Sequence, residues 1–475
     1  MTALVGLVTI RLSTSLLPPE QFGVLAILLT FQAFCGLFLV NPVGQYINRH
    51  THAWADDGSL FPRLRNYRVW VAVAALSGAL SSGTWAIAQP ISCLERAGIM
   101  LALALMVAAA SANATSVSLL NMVGRRALSV GWAGATVLLG LLLSWALVTA
   151  FETGLAWFTG QALGMAIGAV GATYAIRLEL VSLPVAKRPL LEPGVLRNYI
   201  LPLAIATGLM WWLLSGYRLL VEAHWGLAAL GQAAVGLTLA SQLWGLIESL
   251  AMQFLYPLFY RRIATSDTPD KEFAFSDLLN TLGPIYLILS AATAVGAPAL
   301  LTLFVHSSYS HVVPFVLMGA VIECCRCLSN LLSTAAQVDR RMGTLIPPYV
   351  AGALTLTVGL MILTQAEASI GQAIALLSFS GIVALIAMAF AMSRIQVFRL
   401  DMPRWLCALV MVTLAALLVA YKPPTPEGFI AAIYWVAAIG VVVISSVVAL
   451  LWKNPVVTRL LTVRLHPRSD TGIDT

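Results

Sequence analysis

Five ionisable residues stand inside otherwise apolar runs: Arg11, Arg218, Glu248, Glu323 and Arg326. A charge at the centre of a membrane helix costs roughly 2.5–3.5 kcal/mol on insertion scales, so each must face a partner or a watery cavity. Glu323, Asn330 and Gln337 recur every seven residues, with Arg326 and Ser333 on the flank of the same stripe. That face must look into protein or water rather than lipid. Glu323 and Arg326, three apart, can pair with each other, and such pairing accounts for them as well as a ligand contact does. Glu248 shares a helix face with Ser241 and Trp244, and Asn41 shares one with Gln45. A further polar cluster, Ser111, Asn113, Thr115, Ser116 and Ser118, lies within one apolar run.

Two kinds of chemistry suit these side chains. Arginine grips a phosphate or pyrophosphate through paired hydrogen bonds. Three intramembrane arginines against two glutamates leave one positive charge in excess, which suits an anionic head group. Arg11, Arg218 and Arg326, with Asn41, Gln45 and Asn330, are therefore the substrate-binding candidates. Arg218 lies near a helix end, where snorkelling to the interface accounts for it equally well. Glu248 and Glu323, able to take up and release a proton, are the ion-coupling candidates.

Catalytic residues, cofactors and metals are not expected. There is no G-x-x-x-x-G-K-[ST] phosphate loop. Cys324, Cys325 and Cys327 are too compressed on one helix to surround a metal and suit small packing residues. His306 and His311 flank a loop without a neighbouring carboxylate. Trp211 and Trp212 suit lipid-facing packing or, alternatively, a substrate-facing aromatic pair.

The elements that position these residues follow from composition. Of the 475 residues, 60% are hydrophobic and only 10% charged, more apolar surface than a water-soluble domain can hide. The apolar runs reach about 20 residues, the length of a membrane-crossing helix, and lack the short alternating segments of a strand barrel. The fold class is an all-α polytopic membrane protein with about 14 transmembrane helices. Their spans read 1–17, 22–46, 68–89, 97–122, 127–150, 154–176, 198–222, 228–259, 279–305, 311–337, 343–366, 369–393, 404–421 and 427–452. The first run is interrupted by Arg11 and has no small-residue cleavage site, so it reads as a retained helix. It is short and begins at Met1, which fits a missing N-terminal stretch or a misassigned start as well as a short helix.

The net charge of +7 is strung between the apolar runs rather than clustered, so it reports topology and not nucleic-acid binding. Arg49, Arg63, Arg65 and Arg68 follow the second span, Arg125 and Arg126 the fourth, and Arg177, Lys187, Arg188 and Arg197 the sixth. Later even-numbered spans and the tail continue the pattern. The opposite loops hold only Arg96 and Lys422 among basic residues, with Glu20, Glu95, Glu152, Glu222, Glu367 and Glu427. The positive-inside rule then places both termini in the cytoplasm.

Spans 1–2 and 7–8 repeat one another. Arg11-Leu12 leads through a short turn to Phe22-Gly23, and Arg218-Leu219 leads through another to Leu230-Gly231. Both copies run in the same direction, implying a parallel repeat about a pseudo-twofold axis along the membrane normal. The expected organisation is an N-terminal six-helix bundle over 1–176, a proline-bearing cytoplasmic linker over 177–197 and a second six-helix bundle over 198–393. Two further helices over 394–452 and a cytoplasmic tail over 453–475 complete it. Gly160, Gly164, Gly168 and Gly171 line one helix face and suit close packing.

The run Arg11-Leu12-Ser13-Thr14-Ser15-Leu16-Leu17-Pro18-Pro19-Glu20-Gln21-Phe22-Gly23 resembles the opening motif of the oligosaccharide (Wzx-type) flippases, within the multidrug/oligosaccharidyl-lipid/polysaccharide exporter superfamily. Leu201-Pro202-Leu203, Tyr217-Arg218 and Gly231 extend the resemblance into the second half, although Gly216 and Tyr217 stand where family members often carry an acid. The resemblance implies two bundles around a central cationic cavity, with Arg11 as the first position carried over. It also implies export of polyprenyl-pyrophosphate-linked sugar repeat units across a bacterial inner membrane by alternating access, for surface polysaccharide synthesis. Membrane lipid, the lipid-linked oligosaccharide and polysaccharide polymerases or synthases are the implied partners. Competing readings are a multidrug or cation antiporter, which usually has acids within its first bundle, and a polytopic polymerase or ligase, which usually has a large outer loop. A flippase for a lipid-linked peptidoglycan precursor fits the same residues.

Overall fold

The computed structural model describes residues 2–179, 191, 194–256, 259, 262–263, 268–339, 341–421, 426 and 428–452. Most of the connector 177–197 and all of the tail 453–475 lie outside them. Among the described residues twelve stretches are long and apolar enough to cross a membrane. One of these, Leu196–Met252, is 57 residues long. As a straight helix it would extend about 85 Å, nearly three hydrocarbon cores, but Gly226 (φ 80°, ψ 170°) breaks it into two arms. With the short apolar helix Val5–Leu16, this reproduces the expected all-helical order of about fourteen segments.

The helices run α1 (Thr2–Leu16), α2 (Pro19–Phe34), α3 (Asn41–Asp56), α4 (Leu60–Ala88), α5 (Cys93–Met122), α6 (Arg126–Phe151) and α7 (Gly154–Glu179). The second half holds α8 (Leu201–Trp211), α9 (Tyr217–Phe254), α10 (Thr268–Phe304), α11 (Val313–Val338), α12 (Ile346–Gln365) and α13 (Ile370–Ser393). Last come α14 (Met402–Ala420) and α15 (Phe429–Leu451). Proline opens α2, α8, α11, α12 and α14 within the first turn, where its missing N–H costs nothing. Ser92 with Glu95 and Ser369 with Gln372 form capping boxes at the starts of α5 and α13.

Several helices outrun their apolar runs on the arginine-rich side, called the basic face below. Hydropathy falls at Tyr46, yet α3 continues to Asp56 because Val43, Tyr46, Ile47 and Trp54 bury one face. The glycine stripe of α7 is a packing ladder. A Cβ at Gly160, Gly164, Gly168 or Gly171 would meet Ser144, Gly140, Thr136 or Trp132 of α6 in turn, so only glycine lets these backbones approach. In the second half, α11 packs against α9, α10 and α13, while α14 and α15 attach to α10. Asn280 of α10 clamps α14: its amide donates to Arg399 O (2.7 Å) and its oxygen accepts from Asp401 N and Trp405 Nε1 (both 2.9 Å).

Wider π-helical turns interrupt two spans that face each other, at Cys35–Val40 between α2 and α3 and at Trp212–Gly216 between α8 and α9. A π turn releases carbonyls from the helical ladder, and side chains satisfy them: Thr207 Oγ1 donates to Leu37 O (2.8 Å) and Trp70 Nε1 to Leu39 O (2.7 Å). Trp211 and Trp212 are both half-buried, and their indole N–H groups are tied into the protein. Trp211 Nε1 donates to Thr30 O (3.0 Å) across the halves, and Trp212 Nε1 to Thr357 Oγ1 (2.9 Å).

Candidate functional site

Helix periodicity puts Glu323, Arg326 and Asn330 on one face of α11, and the second arm of α9 brings Glu248 against it. Arg326 Nε donates to Glu323 Oε2 (2.7 Å) and Arg326 Nη2 to Glu248 Oε2 (2.9 Å). Asn330 Nδ2 donates to Glu248 Oε1 (3.2 Å). Four of the eight sequence-derived candidates thus form one cluster. All three charged side chains are less than a third exposed, at 11% for Glu323, 19% for Arg326 and 27% for Glu248. The Glu323–Arg326 pairing expected from their spacing is present, and Glu248 extends it across helices. Two carboxylates share one guanidinium, which leaves one negative charge for a proton or small cation to neutralise. Arg326 and Asn330 also border a cavity of about 40 Å³ with Met210, Ser329 and Tyr349, room for a water molecule or two.

The first half encloses a larger cavity of about 300 Å³ between α2, α3, α4 and α5. Asn41 and Gln45 line it, joined by a hydrogen bond from Gln45 Nε2 to Asn41 Oδ1 (3.3 Å). Gln32, Asn48, Ser111, Tyr67 and Thr115 complete its polar lining. Among the described residues no charged side chain lines it, so this chamber offers amides and hydroxyls, groups that hydrogen-bond sugar hydroxyls. Gln32, Asn48 and Tyr67 were not among the expected residues. Asn41, Gln45 and Asn48 follow one helix face at i, i+4 and i+7, a signal hidden because the apolar run ends before Asn48. Gln32 falls out of phase because the π turn shifts the register.

The remaining two candidates lie elsewhere. Arg11 of α1 is exposed and donates from Nη1 to Val305 O of the second half. Arg218 is partly buried, and its Nε lacks a hydrogen-bond partner. Neither lines the two cavities above.

Arg11 belongs instead to a seam where the halves meet on the face opposite the basic one. There His306 N donates to Thr14 Oγ1 (3.2 Å), Tyr309 Oη to Leu17 O (2.8 Å) and Gln89 Nε2 to Glu222 Oε1 (2.9 Å). The Tyr309 ring also meets Phe22 edge-on, 6.2 Å between centroids. At the centre of the seam α2 crosses α9. A Cβ on Gly23 would strike Leu227 O, and one on Gly231 would strike Pro19 O.

Among the described residues no group of three or more His, Cys, Asp or Glu side chains is placed to hold a metal ion. No protein-family model and no curated protein matches the chain. Solved structures do. The chain is similar to the lipid II flippase MurJ in its inward closed conformation, with TM-score 0.62 and 11% identity over 98% of both chains. It is also similar to the eukaryotic MATE transporter AtDTX14, with TM-score 0.50 and 13% identity over 87% of this chain and 94% of that one. Among the described residues the chain is all-helical, and it shares its fold over nearly its whole length with a lipid II flippase.

Proposed function

We propose that this protein is a flippase for polyprenyl-pyrophosphate-linked oligosaccharides in the bacterial inner membrane, with both termini in the cytoplasm. The observation that carries the reading is the end-to-end similarity to a lipid II flippase. The amide-lined chamber of the first half supports a sugar-bearing head group. The loop charges support the orientation. In this account the two halves rock against each other, and the α2–α9 crossing holds the seam shut until they do. The seam opens to release cargo, and the Glu248–Arg326–Glu323 cluster couples that step to an ion. Arg11, at the seam, meets the pyrophosphate as it leaves.

A strain lacking the gene tests the proposal. Lipid-linked repeat units should accumulate in its inner membrane while surface polysaccharide falls, and the intact gene should reverse both. Undiminished surface polysaccharide in the deletion strain would contradict it.

A second reading, a lipid-linked peptidoglycan precursor as cargo, is favoured by the cargo of the similar flippase, lipid II. Rescue of cells depleted of their own lipid II flippase would favour it over the first. The antiporter reading draws on the similarity to a MATE transporter, but the acids here sit in the second half.

A further inference from the structure

Three arginines of the basic face converge on one groove, away from the cluster and the seam and on the outer side of the chamber's wall. The groove has a volume of about 520 Å³ and lies between α4, α5 and α7. Arg65 and Arg68 come from α4, and Arg177 from the last turn of α7. All three are exposed, and among the described residues none has an ion-pair partner. Among the described residues no acidic side chain lines the groove. Positive-inside topology requires arginines at this level of the membrane; it does not require three of them to line one concave site.

The groove has a built shape. Ala108 and Ala112, one turn apart on α5, leave the space that larger side chains would fill. Farther along the same face, Thr115 Oγ1 donates to Tyr67 Oη (3.3 Å), and Ser116 Oγ lies 2.9 Å from Thr173 Oγ1. These hydroxyls form the back wall near the arginines. The polarity is graded along the helix axes. Arg65, Arg68 and Arg177 stand towards the basic face, whereas Val71, Ala108 and Ala112 stand towards the membrane centre. From Ala108 to Leu119, both in the lining, α5 rises about 16 Å. Val69 of α4 and Val170, Tyr174 and Leu178 of α7 are 64–72% exposed, as surfaces facing hydrocarbon are.

A cationic mouth at the interface above an apolar slot open to the bilayer matches one chemistry: a phosphate head with acyl chains below it. We propose that this groove binds an acidic glycerophospholipid, its phosphate on Arg65, Arg68 and Arg177 and one acyl chain along Val71, Ala108 and Ala112. The bound lipid staples α4, α5 and α7 together. Tyr67 and Thr115 also line the polar chamber, so the staple braces the outer side of that chamber's wall. The site does not depend on which cargo the chamber takes.

The test is native mass spectrometry of the detergent-purified full chain with phosphatidylglycerol or phosphatidylcholine, paired with thermal melting. Wild type should retain phosphatidylglycerol at least about tenfold better than phosphatidylcholine and melt higher with it. The triple variant R65Q/R68Q/R177Q should lose the preference, and R65K/R68K/R177K should keep most of it. Ala112→Trp fills the slot without touching a charge and should also lose lipid retention, which keeps the test valid if the triple variant folds poorly. Equal retention of the two lipids by wild type, or an unchanged preference in both the triple variant and Ala112→Trp, would overturn the proposal. Stabilisation by inorganic phosphate equal to that by phosphatidylglycerol would overturn it too, by making this a free-anion site. So would retention of a polyprenyl phosphate in place of phosphatidylglycerol.

Discussion

Gly23 of α2 and Gly231 of α9 meet at the helix crossing that joins the two halves. A Cβ on Gly231 would lie 2.9 Å from the backbone nitrogen of Gly23. These are the two glycines that end the repeated Arg-to-Gly turns in the sequence. Their equivalence is therefore spatial as well as sequential: each lets its own helix approach the other across the seam. The contact is backbone on backbone, so it has little room to yield.

Substituting Gly231 with leucine should accordingly push the halves apart. Overpacking costs about 1–3 kcal/mol, read as a lower melting midpoint with loss of export in a complementation assay. Gly231→Ala should show a smaller effect in the same direction. Wild-type melting and export in Gly231→Leu would remove the crossing from the account.

In the ionic cluster, Arg326→Ala leaves Glu248 and Glu323 facing each other without their shared guanidinium. Breaking a buried pair from one side costs about 3–5 kcal/mol, so membrane-inserted yield and melting midpoint should both fall. The triple change Glu248→Gln, Glu323→Gln, Arg326→Met removes all the charges together and should recover much of the loss. If Arg326→Ala is as stable as wild type, the cluster contributes nothing to the fold.

Coupling is tested at Glu248, which joins the cluster from a different helix. Glu248→Gln keeps the hydrogen-bonding shape and removes the charge. Export by wild type should fall when a protonophore collapses the proton gradient, and Glu248→Gln should export slowly and without that response. Equal sensitivity in both proteins would assign coupling elsewhere.

The seam should also carry an alkaline signature through Tyr309, whose phenol donates to Leu17 O. Burial pushes this phenol above its ordinary value, so the proton is held more tightly in the folded chain than in the unfolded one. Its contribution is fully present below the unfolded value and is lost as pH rises through the folded one. Tyr309→Phe should lower the melting midpoint near neutral pH, by about 1 kcal/mol of lost hydrogen bonding, and flatten the decline above pH 10. An unchanged alkaline limb in this variant would exclude Tyr309 as its source.

Helix order was legible in the sequence because every backbone group in lipid must pair within its own helix, and apolar run length reports that directly. The stripe Glu323, Arg326, Asn330 was legible for the same reason: polar residues at helical spacing cannot face lipid. Glu248 could not be joined to it in advance, since its contact depends on how α9 packs against α11. Asn48 and Gln32 were hidden by features hydropathy does not record, a helix that outlasts its apolar run and a π turn that shifts phase. The arginines of the groove were read only as topology. Their convergence needs α4 and α7 to flank the small face of α5, a tertiary fact.

The most direct measurement is flipping by the purified chain in proteoliposomes containing a fluorescent polyprenyl-pyrophosphate oligosaccharide, followed by quenching of the outer leaflet. Protein-containing vesicles should expose inner-leaflet label to the quencher faster than protein-free ones, and Gly231→Leu should slow that exposure towards the protein-free rate. Quenching no faster than in empty vesicles, with correctly inserted wild-type protein and an imposed proton gradient, would contradict the central claim that this fold flips a lipid-linked oligosaccharide.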